Sequence, residues 1–286
     1  LSTPTPPTVS RARAVVSEQL RRNDRDRFIA DLFAPEEPRR HLNALHAFDA
    51  EVARIRFAVS EPTLGEIRLQ WWRDAIANRD AGGNPLAVAL LNTIEVLALP
   101  VPAFLALLNA RIFDLYNDPM PTVADFEGYA GETSSVLFQF AVIALGHGNE
   151  STAADAAGHA GVVTTLAASL HRFAADAERR QMFLPRDRFE AHGAEVEAVF
   201  NRQARPAVMA GLYEFRELAR DHLGKAKRVI AALPRSALPA FLPLAVVGPR
   251  LARVEKTAGD PFAASHDLPR WRRQWLIWRA ARRGLR

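Results

Sequence analysis

Leu45-His-Ala-Phe-Asp-Ala-Glu-Val-Ala-Arg-Ile-Arg-Phe57 decides the fold class. Leu45, Phe48, Val52 and Ile55 recur at the three- and four-residue spacing of one helix face, and no alternation of β-branched residues competes with it. The same reading extends in both directions. Alanine and leucine dominate, and helices are expected over residues 10–33, 38–58, 62–78, 86–98, 101–116, 122–146, 151–179, 205–232, 236–256 and 268–283. Pro35, Pro62, Pro85, Pro100, Pro102, the Asp118-Pro119-Met120-Pro121 run, Pro185 and Pro234 fall between these segments, where a chain leaves or enters a helix. The gaps are short and no repeat of fixed period occurs, so the chain reads as all-α, a single-domain helix bundle. Ligand sites in such bundles are built from side chains that face inward from opposing helices.

The 286 residues, 49% of them hydrophobic, are enough for one large buried core. With no cysteine, disulfides, thiolate metal sites and a cysteine nucleophile are excluded, and a reducing compartment fits. Residues 1–9, with Pro4, Pro6 and Pro7 and no acid, read as a disordered N-terminal segment with some transit-peptide character. Residues 10–265 read as the helical domain and 266–286 as a basic amphipathic C-terminal helix. Net charge is +5, and removing the seven arginines of residues 270–286 leaves −2 for the rest. The basicity is therefore local, and no nucleic-acid partner is expected. No stretch is read as a membrane span, since the longest candidate, Ala237 to Gly248, is cut by Pro239 and Pro243. A cytoplasmic protein, or one peripheral on the inner face of a membrane, is expected.

Five further stretches stand beside the opening one. Asp26-Arg-Phe-Ile-Ala-Asp-Leu-Phe-Ala-Pro35 precedes it and Arg68-Leu-Gln-Trp-Trp-Arg-Asp74 follows it. Later come Phe126-Glu-Gly-Tyr-Ala-Gly131, Gly158-His-Ala-Gly-Val162 and Leu170-His-Arg-Phe-Ala-Ala-Asp-Ala-Glu-Arg-Arg-Gln-Met-Phe-Leu-Pro185. Their order and spacing, over roughly residues 20 to 255, resemble the squalene/phytoene synthase family. The resemblance implies an isoprenoid (terpenoid) synthase fold, and chemistry in which carboxylates on two facing helices hold magnesium against an allylic diphosphate.

Matched to that family residue by residue, the first acidic motif reads Ala53, Arg54 and Phe57, with Ala50 in place of its preceding arginine and His46 in place of a tyrosine. The second reads His171, Arg172 and Asp176, and only Asp176 keeps a carboxylate. Magnesium takes hard oxygen ligands, so alanine, arginine and phenylalanine are no substitutes. Arg54 and Arg172 reverse the sign of the site. They would hold an anion directly, or simply pair with Glu51 and Asp176 one turn or less away. Tyr129 matches a pocket-facing tyrosine and reads equally well as a core aromatic with a wet hydroxyl.

Other residues are less suggestive. Asp114 and Asp118 are four apart, but Asp118 precedes Pro119, which favours cap or turn roles. His41 and His46, and His159 and His171, lack the spacing of a helical metal pair, so no metal site is expected. No nucleophile elbow and no glycine-rich phosphate loop is present. In the last segment Trp271, Trp275 and Trp278 share a face, with Arg272 and Arg273 among the surrounding arginines. This is either a helix lying on an anionic membrane or partner, or a terminal helix docked through its tryptophans.

Phe48-Asp-Ala-Glu51 and Arg68-Leu-Gln-Trp-Trp72 are similar to a branch of the family that includes a mitochondrial complex I assembly factor. That resemblance implies a non-catalytic assembly or binding role, with respiratory complex I subunits as partners and no cofactor. Two alternatives stand beside it: a head-to-head prenyl-diphosphate transferase that uses magnesium, and a metal-free binder of isoprenoid or anionic lipid.

Overall fold

The structure, a computed structural model, describes residues 8–203, 205–256, 260–263 and 267–285. Most of the 1–9 segment lies outside these residues. Thr8 and Val9 depart from the disorder expected there, because the Thr8 hydroxyl accepts from the Arg11 N–H and so caps a helix that starts at Val9. Every regular element among the described residues is helical.

The first half of the chain comprises α1 (Val9–Asn23), α2 (Arg25–Asp31), α3 (Glu36–Ala58), α4 (Pro62–Ala77), α5 (Pro85–Val96) and α6 (Val101–Ala110). Asp24 divides the helix expected over 10–33: its side chain accepts from Arg27 N–H and starts α2 where α1 has just ended. Pro62 and Pro85 begin their helices and Pro102 lies in the first turn of α6, where a missing N–H costs nothing. α3 is buried all round from His41 to Asp49, the mark of a central helix, and packs against α1, α4, α5 and the later α8. Phe48, Trp72, Phe104 and Phe140 meet there in edge-on and stacked pairs.

A 3₁₀ turn at Arg111–Leu115 ends α6 early. The helix expected over 122–146 is α7 (Val123–Ala130) and α8 (Val136–Ala144), joined by a π turn at Gly131–Ser135. That π turn rests on α9 (Ser151–Glu178) at Gly161, where an added Cβ would lie 2.1 Å from Ser135 Oγ. Two short helices that the pattern does not announce, α10 (Arg186–Ala191) and α11 (Val196–Phe200), lead into α12 (Pro206–Ile230), which packs along α9.

The chain then runs through a 3₁₀ turn, α13 (Leu238–Phe241), a second 3₁₀ turn (Leu242–Val246) and α14 (Val247–Lys256). Pro239 and Pro243 do not interrupt this path, contrary to the sequence reading. They sit in the first positions of α13 and of the second 3₁₀ turn, so Arg235–Glu255 forms a 21-residue helical run long and apolar enough to cross a membrane. Half of its most apolar window is buried inside the bundle, with Phe241, Leu244, Val247 and Leu251 in the main core. Finally α15 (Arg270–Arg283) docks on α2 and the second 3₁₀ turn through Ile277 and Ala280, against Ala30, Leu242 and Val246.

Candidate functional site

Between α3, α9, the π turn and α14 lies an open cavity of about 360 Å³, at the lower end of the size of small-molecule sites. Ala50, Ala53, Arg54 and Phe57 line it from α3, Thr164, Thr165, Ala168 and Arg172 from α9, and Tyr129 from α7. Positions 50, 53, 54 and 57 share a helix face, which is why α3 presents them together. Pro243, Val246 and Val247 add an apolar wall, with Arg250 at its edge.

His46, His171 and Asp176 do not line the cavity, although the motif matching placed them there. His46 turns toward α2, where its Nδ1 lies 3.0 Å from the Asp31 carboxylate, both side chains buried. Burial pushes Asp31 up, against the lowering effect of His46. His171 is next to Arg172 but about 100° round the helix, so it lines a separate hollow with Leu170, Phe173, Met209, Leu212 and Arg216. Asp176 is buried beneath the cavity. It accepts from Arg56 Nη2, and Arg172 Nε stands 3.6 Å from its other oxygen. The Arg172–Asp176 pairing therefore forms, whereas Arg54 does not pair with Glu51. Arg54 donates to Asn23 Oδ1 at 2.8 Å, and Glu51 accepts from Gln19.

A second network lines the same cavity through Arg27, Asp49, Arg111 and Tyr129. Asp49 accepts from Arg27 at 2.5 Å and from Arg111 at 2.9 Å through separate oxygens. Arg111 also donates to Asp114 Oδ2 and to the Tyr129 hydroxyl, which in turn donates to Asp114 Oδ1 at 2.6 Å. Asp114 is thus a buried member of a charge network rather than a cap, since the 3₁₀ turn carries it inward. Burial alone would raise the Asp49 carboxyl, but the charges of Arg27 and Arg111 outweigh it and hold it below the ordinary carboxylate value. The Arg111 guanidinium is held above its ordinary value, because these anions outweigh its burial. Burial, with the Asp114 carboxylate beside it, pushes the Tyr129 phenol up, so it stays protonated and donates. Tyr129 is a half-buried cavity-lining residue whose hydroxyl is satisfied by protein and not by water alone.

Arg27, Asp49, Arg56, Arg111 and Asp114 carry this architecture, and the sequence reading gave none of them a pocket role. Arg111 and Asp114 are three residues apart, but the pairs Arg27–Asp49, Asp49–Arg111 and Arg56–Asp176 span 22, 62 and 120 residues, separations that no local spacing betrays. Arg56 is further enclosed between the rings of Phe57 and Phe183, each 4.5 Å from its guanidinium carbon. His41 bonds Thr93, and His159 meets His222 ring to ring. Among the described residues no group of three or more histidine and carboxylate side chains is placed to hold a metal ion.

Fold and cavity together define a terpenoid-synthase-like helix bundle. The squalene/phytoene synthase family model matches residues 20–279, and the chain belongs to that family. Among solved structures it is similar to the squalene synthase HpnC from Alicyclobacillus acidocaldarius, with TM-score 0.77, 20% identity, and 89% of this chain and 97% of that one covered. A dehydrosqualene synthase solved with a ligand superposes with TM-score 0.81 at 13% identity, covering 95% of each chain. At these identities the likeness is one of fold. Among curated proteins the chain is 29% identical over 251 residues to the rat (Rattus norvegicus) NADH dehydrogenase (ubiquinone) complex I, assembly factor 6, covering 87% of this chain and 75% of that one. The human protein of the same name is 27% identical over the same length.

Proposed function

We propose that this chain is a non-catalytic member of its family, a binding and assembly factor for a respiratory complex, complex I in view of its curated relatives. The observation that supports it most is the charge arrangement around the cavity. The α3 wall presents Ala53, Arg54 and Phe57, and the α9 wall presents Arg172. The carboxylates that line it are already engaged, Asp49 by two guanidiniums, Asp24 by the Arg27 backbone and guanidinium, and Asp26 by Arg273 and Arg250; Asp176, buried nearby, is held by Arg56 with Arg172 close by. Magnesium binds oxygen at about 2.1 Å and demands octahedral geometry. An ion approaching any of these carboxylates would have to displace or sit beside a guanidinium within about 4 Å, so the donor set does not fit magnesium. On this reading the protein needs no cofactor.

The experiment has two arms. Purified protein is incubated with farnesyl or geranylgeranyl diphosphate, magnesium and a reductant, and no C30 or C40 hydrocarbon is expected. Appearance of a protein-dependent product would restore the transferase alternative. In a deletion strain of the source organism, assembled complex I should be depleted, and normal levels would remove the assembly role.

One observation favours a second reading. The cavity is open rather than filled, and it combines an apolar wall with Arg54, Arg172 and Arg250. An amphiphile with an anionic head would be held there by guanidinium hydrogen bonds without a metal. Calorimetric titration with farnesyl diphosphate in the presence of a chelator should show binding, and absence of heat would exclude this reading.

A further inference from the structure

α15 meets the bundle on one side only. At about 100° per residue, Arg273, Leu276, Ile277 and Ala280 point to one side of the helix while Trp271, Trp275 and Trp278 point to the other. The docked side carries the buried Ile277 and Ala280, and Arg273 is clamped there by Asp267 and Asp26. Arg273 is therefore a structural residue and not part of the outer surface that the sequence assigned it to. The tryptophans stay outside this contact and largely in solvent: they are 70%, 47% and 47% exposed. Leu32 and Phe33, at the end of α2, are 47% and 38% exposed, and together with Trp278 they line a surface groove.

Large apolar side chains left in water on one face are explained by something that covers them. The charge around them says what. No acid lies between Leu268 and the end of the chain. Arg25, Arg270, Arg272, Arg279, Arg282 and Arg283 form no ion pair with a carboxylate among the described residues, and Arg279 and Arg282 lie over the rings of Trp275 and Trp278. Arg21 and Arg22 add one net charge, since they share Glu18. Indole rings prefer the headgroup boundary of a bilayer, and arginines beside them meet lipid phosphates.

We propose that the corner formed by the exposed face of α15 and the end of α2 docks on an anionic lipid bilayer, with the three tryptophans, Leu32 and Phe33 at the acyl boundary and the unpaired arginines among the phosphates. The docked face adjoins the cavity. Arg21 and Arg25 line both the tryptophan groove and a polar cleft beside Arg270, and Asn23, Asp24 and Asp26 line both that cleft and the cavity. Docking brings the cavity rim beside the headgroups, whatever the cavity holds.

The test is co-sedimentation of the full chain with phosphatidylcholine vesicles, with and without about one-third phosphatidylglycerol. The protein should pellet with the anionic vesicles, remain in solution with the neutral ones, and be released as salt rises. The triple variant Trp271→Ala, Trp275→Ala, Trp278→Ala should lower the partition coefficient by about tenfold or more, and Arg279→Glu with Arg282→Glu should abolish the preference for anionic lipid. Each substitution is at an exposed side chain, and an unchanged thermal midpoint shows that the fold is intact. Wild-type protein that stays in solution with both vesicles overturns the proposal, and so does a triple variant that binds like wild type. Equal binding to neutral and anionic vesicles overturns its electrostatic half.

Discussion

Arginines crowd two regions of this molecule, the walls of the cavity and the C-terminal helix, and they do different things in each. Around the cavity the largely buried Arg27, Arg56 and Arg111 are locked to Asp49, Asp114 and Asp176, so charge is consumed internally and fixes the relative positions of α2, α3, α9 and the 3₁₀ turn after α6. On α15 Arg273 alone is consumed in this way, by Asp26 and Asp267, and the others are arrayed around exposed tryptophans. The difference follows from dielectric. A buried guanidinium without an anion is strongly destabilising, whereas an exposed one is solvated and available to an external partner.

The contrast breaks most sharply at Asp49. Asp49→Asn removes the charge that holds two buried guanidiniums and should lower stability by about 3 kcal/mol or more, read from urea midpoints at neutral pH. The loss should itself depend on pH. The folded carboxyl sits below its ordinary value of 3.8, so its contribution is complete above that value and disappears as pH falls through the folded one. The gap between wild type and Asp49→Asn should therefore narrow progressively as pH falls below 3.8, and a gap that stays constant with acidification would show that Asp49 acts by packing and not by charge.

The two regions also differ in how far they can be read from sequence. Helix starts at Pro62 and Pro85 are visible because proline tolerates the first turn and little else in a helix. The cavity-facing positions of α3 are visible too, since 50, 53, 54 and 57 share a face by spacing alone. The ion pairs are not, because Arg56 and Asp176 are 120 residues apart and only the fold brings them together. His46 shows the same limit: it lies one turn before Ala50, yet α2 packs over that turn and offers Asp31. On α15 the spacing gives the tryptophan face but not its direction. Which side faces the bundle is decided by Ala30, Leu242 and Val246, residues that no inspection of the last helix would reveal. The π turn escaped for a related reason. Gly131-Glu-Thr-Ser-Ser135 contains no proline, and the wider turn follows from tertiary packing, the close approach of α9 at Gly161.

That approach gives the next smaller effect. A methyl group at position 161 would meet Ser135 Oγ at 2.1 Å and its backbone N at 2.3 Å, and backbone cannot swing aside as a side chain can. Gly161→Ala should cost about 1–3 kcal/mol by overpacking, and should displace Ser134 and Thr165, whose hydroxyls bond each other at 2.9 Å on the cavity wall. Loss of diphosphate binding with little change in the melting midpoint would locate the damage in the cavity rather than in the core.

The smallest effect is expected where charge and aromatic surface are most conspicuous. Trp275→Ala and Trp278→Ala each remove a large side chain and a cation–π contact with Arg279 or Arg282, a contact that contributes about 0.5–1 kcal/mol at most when exposed. Both rings are nearly half in solvent and neither belongs to the apolar contacts that seat α15, which run through Ile277 and Ala280. Thermal midpoints of the two variants should stay within about 2 °C of wild type, as surface substitutions in a chain of this length do. A larger drop would mean that the tryptophans hold the helix to the bundle after all. The two arginine-rich regions would then be alike, both spent on the fold, and the outer face of α15 would have no surplus to offer a membrane.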